Sequence, residues 1–395
     1  MYSEVEVYVL DSNYLRSDLL EGFFNLSWSE RFQEPGTCEI VVPHNPTNVV
    51  LYATGTLIGL NISDRVMVVE KSYEEVSDDG AKTLKVVCNE VVNILKDRVA
   101  WKDAAALGEE PEWVRRGTPK EIVDWVVGRA IVGLYTPMSA QDKIPGILTR
   151  STYPPDNIPP HESSISVILK DPKNVLEYIK EICEGYKLGF RLYRDHNVGG
   201  LCYNTYSGSD RTIGQGDLEP VVFSQSLDNI QNQSLMESFE DYATSIYVYS
   251  KRKFTHVYRE GFDPNKSVGL KRHVGLLKVD EPEELVTVAD VTAYHWELGL
   301  RELEKLSPIF LLEGEIAKTT QYVYNKHYYL GDLVSFQGLN GYANNMRVVE
   351  YTISIDSGET KHYPTLSVET LLEPGSWANA GADEWESVTG EWVHK

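Results

Sequence analysis

The sequence predicts an α+β protein, mainly β, made of two related antiparallel β-barrel-like modules with helical segments inserted between and within them. Three observations carry this. First, Glu4-Val5-Glu6-Val7-Tyr8-Val9-Leu10 alternates with the period of two that turns one strand face to a core and the other to water. Second, the stretch from Gly55 to Val92 returns as Gly331 to Leu372: Gly55, Leu57, Val68, Val69 and Glu70 are answered by Gly331, Leu333, Val348, Val349 and Glu350, with the Val-Val-Glu at 68–70 repeated 280 residues later at 348–350. Each copy continues through a turn, Ser77-Asp78-Asp79-Gly80 or Asp356-Ser357-Gly358, into a Leu-x-Val strand at Leu84 and Val86 or at Leu366 and Val368. One long offset is not a solenoid period. The shared order favours duplication of a β module over chance. Third, the segment between the copies carries helix start signals that neither copy has.

Along the chain, residues 1–100 form the first β-barrel module. Its strands are the alternating start, Phe23 to Phe32, Cys38 to Val42 after the turn Glu34-Pro35-Gly36, and the first repeat copy. Closure into a barrel hides the edges that such a sheet exposes. Residues 101–220 are an α+β middle domain. Thr118-Pro119-Lys120-Glu121 supplies an N-cap, a Pro at the first helical position and a capping-box Glu ahead of Ile122, Val123, Trp125, Val126, Ala130 and Ile131, which predicts a helix of about four turns. Asp171-Pro172 opens a second helix with Val175, Leu176, Ile179 and Ile182 on one face, stopped at Gly185, and Phe190 begins a strand. Between them, residues 137–161 hold Pro145, Pro154, Pro155, Pro159 and Pro160 and read as an extended arm. The second β-barrel module takes residues 221–255 and 309–372, with strands at Val221–Ser224, Tyr242–Ser250, Phe310–Ile316 and Gln321–Tyr329. It is interrupted by an insert over 256–308 with a helix at 287–306 that Pro308 ends. Residues 373–395 form a C-terminal tail without periodicity.

At 395 residues the chain is long enough for several cores, and 42% hydrophobic residues supply them. The net charge of −22 disfavours phosphate-backbone binding, which needs clustered Lys and Arg. The N-terminus shows no signal-peptide pattern and no apolar run approaches a membrane span, so the chain is expected in a cytoplasm-like compartment without membrane insertion. The four cysteines, Cys38, Cys88, Cys183 and Cys202, form no C-x-x-C pair and read as small buried hydrophobes.

Catalytic chemistry is not found. There is no Walker loop, G-x-G-x-x-G, H-E-x-x-H or G-x-S-x-G, and no His pairs with another ligand at metal spacing. No catalytic, cofactor-binding or metal residue is assigned, and the chain is expected not to be an enzyme. Gly208 to Gly216 is rich in Gly, but it leads into a strand and lacks the helix N-terminus that a phosphate cradle uses. It reads as a surface turn. His161 and His327 read as surface or packing residues. The aromatics Tyr322 to Tyr329 suit a half-buried sheet face better than a sugar platform. Trp377, Trp385 and Trp392 are expected to contact partner proteins.

Several stretches, in order, resemble the Gp37-like minor tail proteins of siphophages that infect actinobacteria. They are Val7-Tyr8-Val9-Leu10-Asp11, Leu26-Ser27-Trp28-Ser29-Glu30-Arg31-Phe32 with Pro35-Gly36, Asp64-Arg65-Val66-Met67-Val68-Val69-Glu70, and Lys96-Asp97-Arg98. Gly208 with Asp210-Arg211-Thr212, Phe223-Ser224 with Asn229, and Gly269 with Arg272 extend the series, which spans most of residues 1–372. The resemblance implies a tail-tip hub built like myophage baseplate hubs: a homotrimer whose two β modules per chain make a ring that matches a six-fold tube on one side and three-fold symmetry on the other. It further implies a central passage for DNA in transit and, as neighbours, the distal tail protein ring, the tape measure protein and other minor tail proteins. The virion tail tip is the implied location. A host-surface glycan-binding module is the alternative, and it predicts exposed coplanar aromatics in a groove where the hub predicts those aromatics buried between chains.

Overall fold

A computed structural model describes residues 4–77, 80–101, 113–133, 142–149, 156–169, 171–195, 200–259, 262, 269–281, 285–317, 320–338, 343–356 and 358–368. The fold divides into two compact units, one of residues 1–234 with 312–367 and one of residues 235–311 with 368–395.

The larger unit begins with strands β1 (Val7–Leu10), β2 (Arg16–Leu20), β3 (Asn25–Arg31) and β4 (Thr37–Pro43), helix α1 (Pro46–Leu51), and strands β5 (Leu57–Leu60), β6 (Val66–Val76) and β7 (Lys82–Glu90). Alternation sets the buried face: Cys38, Ile40 and Val42 on β4 and Leu84, Val86 and Cys88 on β7 are all buried, with solvent-leaning residues between them. In space the strands run β3-β4-β7-β6-β5-β1-β2, all antiparallel. Asn45 starts α1, its side chain accepting the Asn48 amide at 2.8 Å ahead of a favourably placed Pro46.

The middle segment contains β8 (Val99–Ala100), β9 (Trp113–Gly117), α2 (Pro119–Val127), β10 (Leu148–Thr149), β11 (Ile165–Leu169), β12 (Lys173–Asn174), α3 (Val175–Tyr186), β13 (Gly189–Asp195) and β14 (Gly200–Tyr206). The Thr118–Glu121 capping box forms, and α2 continues through a wider turn over Gly128–Val132. α3 corrects the sequence reading at both ends. Asn174 caps it by accepting the Glu177 amide at 2.7 Å, because residues 173–174 are drawn into a short pairing with β8, and it stops at Lys187, with φ 54°, beyond the expected Gly185. Ile122, Val123, Val126, Val175, Ile179 and Ile182 from the two helices share one core with Phe190, Leu192 and Tyr203. Within the expected arm, Leu148–Thr149 pair in parallel with Cys202–Tyr203.

Strands β15 (Asp210–Arg211), β16 (Val222–Ser224) and β17 (Ile230–Ser238) follow. The smaller unit then supplies β18 (Ser245–Tyr249), β19 (Phe254–Tyr258), β20 (Val274–Lys278) and α4 (Val288–Lys305). β18 pairs antiparallel with β19 and parallel with β20, and α4 lies against the three with Val291, Tyr294, His295, Leu298 and Leu303 buried. The insert therefore opens near residue 235 instead of 256, and Tyr242–Ser250 serves this small sheet, not the second module.

The chain returns to the larger unit through β21 (Ile309–Ile316), β22 (Leu333–Gln337), β23 (Ala343–Asp356) and β24 (Glu359–Val368). Gln321–Tyr329 is not the expected strand. It is a turn, with Asn325 at φ 61° and His327 Nδ1 accepting the Val323 amide at 2.8 Å. The mainly β, antiparallel character holds, but among the described residues neither module closes into a barrel. Fourteen strands form one open sheet whose path runs β17-β21-β24-β23-β3-β4-β7-β6-β5-β1-β2, with β22 also on β23 and β15 and β16 parallel to β22. The reason is visible in the order: β3, the edge that a first barrel would use to close on itself, is spent on β23.

Candidate functional site

The joint where β3 meets β23 connects the two halves of the sheet. Its register runs from Arg31 opposite Glu350 to Asn25 opposite Asp356. On the buried face Leu26 lies opposite Ile355, Trp28 opposite Ile353 and Glu30 opposite Tyr351, each at most 6% exposed. On the other face Ser29 Oγ and Thr352 Oγ1 are 2.7 Å apart, and Arg31 Nε donates to Glu350 Oε2 at 2.5 Å. The Phe32 amide closes the seam on Val349 O at 2.9 Å.

Glu30 breaks the apolar alternation of β3, and its burial is made tolerable by a full set of donors. Trp28 Nε1 donates to Oε1 at 2.9 Å, Ser63 Oγ donates to the same oxygen, and Tyr324 OH donates to Oε2 at 2.7 Å. Arg65, 2% exposed, places Nη1 2.6 Å from Glu90 Oε1 and Nε 3.9 Å from Glu30 Oε2. Glu90 Oε2 accepts the Gly36 amide at 2.8 Å, so the turn between β3 and β4 is tied into the same group. Burial alone would lower the Arg65 pKa, but nearby negative groups, Glu90 foremost, outweigh it and raise the pKa well above its usual value. Burial likewise pushes the Tyr324 hydroxyl up, and its ring stacks on Tyr351 at 3.8 Å.

Phe32 stands at the end of β3, edge-on to Tyr206 with ring centres 5.4 Å apart and with Arg347 5.3 Å from its centre. Its ring lies against Gly189 and Gly331, where any Cβ would overlap it. Next to Gly331, Asp332 is fully buried and gathers the linker from the middle segment: its carboxylate accepts Ser209 N at 2.9 Å, Arg211 Nε at 2.9 Å and Tyr329 N at 3.0 Å. Burial pushes its pKa up to about 6 against the pull of those donors. The Gly208–Gly216 loop thus spends its amides on the chain's own acceptors: Asp332 for Ser209, Asp210 for Thr212 and Ser335 Oγ for Ile213.

Gly55 and Leu57 fall at places that match Gly331 and Leu333, whereas the Val-Val-Glu triplets do not coincide. Gly55 has φ 90° and Gly331 φ 89°, Gly55 N donates to Val69 O and Gly331 N to Val348 O, both at 2.8 Å, and Ile58 faces Met67 as Val334 faces Met346. Leu57 and Leu333 open equivalent strands, β5 and β22. The hydrogen bonds set Val69 level with Val348, so the equivalence runs one residue out of step with the Val-Val-Glu match: Val68, Val69 and Glu70 take the places of Arg347, Val348 and Val349. Glu70 lies where the β6–β7 register shifts, and its carboxylate receives Lys96 Nζ and Asn93 Nδ2, both at 3.1 Å, whereas Glu350 pairs with Arg31 across the joint. Trp377, Trp385 and Trp392 lie outside the described residues. All four cysteines are free and buried.

The strand order of the second half, β17-β21-β24-β23 with β22 on β23, repeats that of the first, β3-β4-β7-β6-β5. The family model of the siphovirus ReqiPepy6 Gp37-like proteins matches residues 6–366. The chain belongs to this family. Among curated proteins no sequence matches this Gp37-like chain. Among solved structures, the tail protein from Neisseria meningitidis MC58 is similar with a TM-score of 0.55 at 13% identity, over 93% of this chain and 96% of that one. The 43 kDa tail protein of prophage MuSo2 from Shewanella oneidensis is similar with a TM-score of 0.54 at 12% identity, over 92% and 97%. At such identities the likeness is one of fold.

Glu30 and Asp64-Arg65 belong to the stretches that carry the family resemblance but show no role there, and Glu90 and Asp332 belong to none of those stretches. The available signal was a charge within an apolar alternation, Leu26-x-Trp28-x-Glu30, which asks for a buried partner.

Proposed function

We propose that this Gp37-like chain is a structural subunit of a siphophage tail: a trimeric tail-tip, or baseplate, hub whose ring closes the distal end of the tail tube and adapts six-fold to three-fold symmetry around a central passage for DNA. One observation carries the reading. Two copies of one sheet, in the same strand order, are joined edge to edge within one chain, so three chains would supply six equivalent modules. The net charge of −22 suits a passage that DNA crosses without adhering. The neighbours in this reading are the distal tail protein ring, the tape measure protein and other minor tail proteins. The well-partnered carboxylates at the joint serve packing, which fits a subunit without catalysis. The glycan-binding alternative needs exposed aromatics, and the two central tyrosines of the aromatic run, Tyr324 and Tyr328, are 7% and 0% exposed. The test is electron microscopy of intact particles labelled with an antibody against this chain, with light scattering on the purified protein. Label at the tail tip and a mass of three chains are expected; label on side fibres, or none on any particle, would overturn the hub.

A further inference from the structure

The duplicated sheet leaves one joint made and one unmade. Within the chain, the edge of β23 from Glu350 to Asp356 is covered by β3, the first strand of the other copy. Among the described residues, the equivalent edge of β6 has no strand partner beyond β5. β5 reaches only Val66–Val68, and among the described residues no strand pairs with the outer edge of Lys71–Val76, all six of which are exposed, with Tyr73 at 47% and Val76 at 65%. The counterpart of β3 in the second copy is β17, placed beside β21 as β3 is beside β4. It too is an edge, with Gln231, Asn232 and Ser234 exposed and no second strand partner among the described residues. Unpaired edges of this length invite a strand, and neither carries a Pro to block one.

We infer that β17 of one copy of this chain pairs antiparallel with Lys71–Val76 of β6 in the next copy, repeating between chains the β3–β23 joint made within each. The occupant is a second copy because the chain itself shows what covers this edge: the first strand of the opposite module. The contact is heterologous, so it propagates head to tail and closes when the rotation per chain allows. The inference rests on the ring reading above and assigns its intermolecular surface. No register is assumed: Ser234 lies in the middle of β17, and residues 72–75 lie within the exposed stretch of β6.

Cysteine cross-linking of the full chain tests it, with little background because the four native cysteines are buried. Ser234→Cys is combined in turn with Ser72→Cys, Tyr73→Cys, Glu74→Cys and Glu75→Cys, all at exposed strand positions, and mildly oxidised. The expected result is a ladder of two and three linked chains for one or two neighbouring pairings. Each single variant, and the control pairing of Ser234→Cys with Val50→Cys, should stay unlinked. Links in the single variants would mean a self-complementary contact and overturn the inference, as would no link in any pairing. Light scattering on the same samples separates the two claims. A three-chain mass without links leaves the ring standing and moves its joint elsewhere, whereas a monomer without links removes both.

Discussion

Gly55 and Gly331 form a natural control for the joint, since they share one backbone conformation in different surroundings. Both sit at φ near 90°, where a side chain is strained, and both donate the same hydrogen bond. An added Cβ at Gly55 meets nothing within 4 Å, whereas at Gly331 it runs into the Phe32 ring and comes within 3.1 Å of Tyr206. Gly55→Ala should therefore cost the backbone strain alone, about 1–2 kcal/mol. Gly331→Ala should cost that strain plus about 1–3 kcal/mol of overpacking, because Phe32 is 1% exposed and hemmed in by Gly189 and Arg347. Phe32→Ala, at about 3–5 kcal/mol by itself, opens the space, so Gly331→Ala in that background should fall back to the cost seen at Gly55. Urea unfolding of the four variants gives these differences, and a double-mutant cycle isolates the coupling between Phe32 and Gly331 at about 1–3 kcal/mol. Equal costs at the two glycines, or no coupling with Phe32, would refute the claim that this ring fixes the joint.

Two buried groups give opposite pH dependences. Asp332 has its pKa raised by burial to about 6 from an ordinary 3.8, so its contribution is complete below about 3.8 and is lost as pH rises through 6, a change of about 3 kcal/mol. Burial lowers His362 to about 4 from 6.5, so its contribution is complete above 6.5 and is lost as pH falls through 4, again about 3 kcal/mol. Between pH 4 and 6 the urea midpoint of Asp332→Asn should rise with pH relative to that of the unaltered chain, and that of His362→Gln should fall relative to it; parallel profiles would show that neither group titrates in this window. Arg65→Met should destabilise by about 3–5 kcal/mol because it strands Glu90 in a buried site, and Arg65→Met with Glu90→Gln should recover part of that loss in the same assay.

What the sequence made legible follows the range of the physics involved. Thr118 with Glu121 and Thr287 with Asp290 announce α2 and α4 because a capping box is complete within four residues. β4 and β7 announce themselves because each buries alternate apolar residues. β2 and β17 do not: they are edge strands with four or more exposed positions apiece, held by backbone bonds on one side, and Arg-Ser-Asp or Gln-Asn-Gln-Ser carries no periodic signal. Gln321–Tyr329 failed for the opposite reason. Its aromatics read as strand, yet Tyr324 and Tyr328 are buried from a turn because their partners, Tyr351 and Phe223, come from other elements. The joint was hidden by separation along the chain. Glu30 meets Ser63 33 residues away and Tyr324 294 residues away, and no local pattern forecasts either.

The insertion point gives the two copies different parts to play. In the first copy, β3 passes to β4 through residues 32–36, a turn that Gly36 fastens to Glu90 and through it to Arg65. In the second copy the same connection, from β17 to β21, is where residues 235–311 enter with their own sheet and α4. A loop between neighbouring antiparallel strands can accept a folded insert without altering the strand order, since loop-closure cost grows slowly with length. The order on both sides is kept. In the proposed ring, tight turns and inserted units would then alternate, so six like sheet modules would carry only three insertions. Six-fold character would reside in the strands and three-fold character in their connections, and a single duplicated gene product would suffice for both.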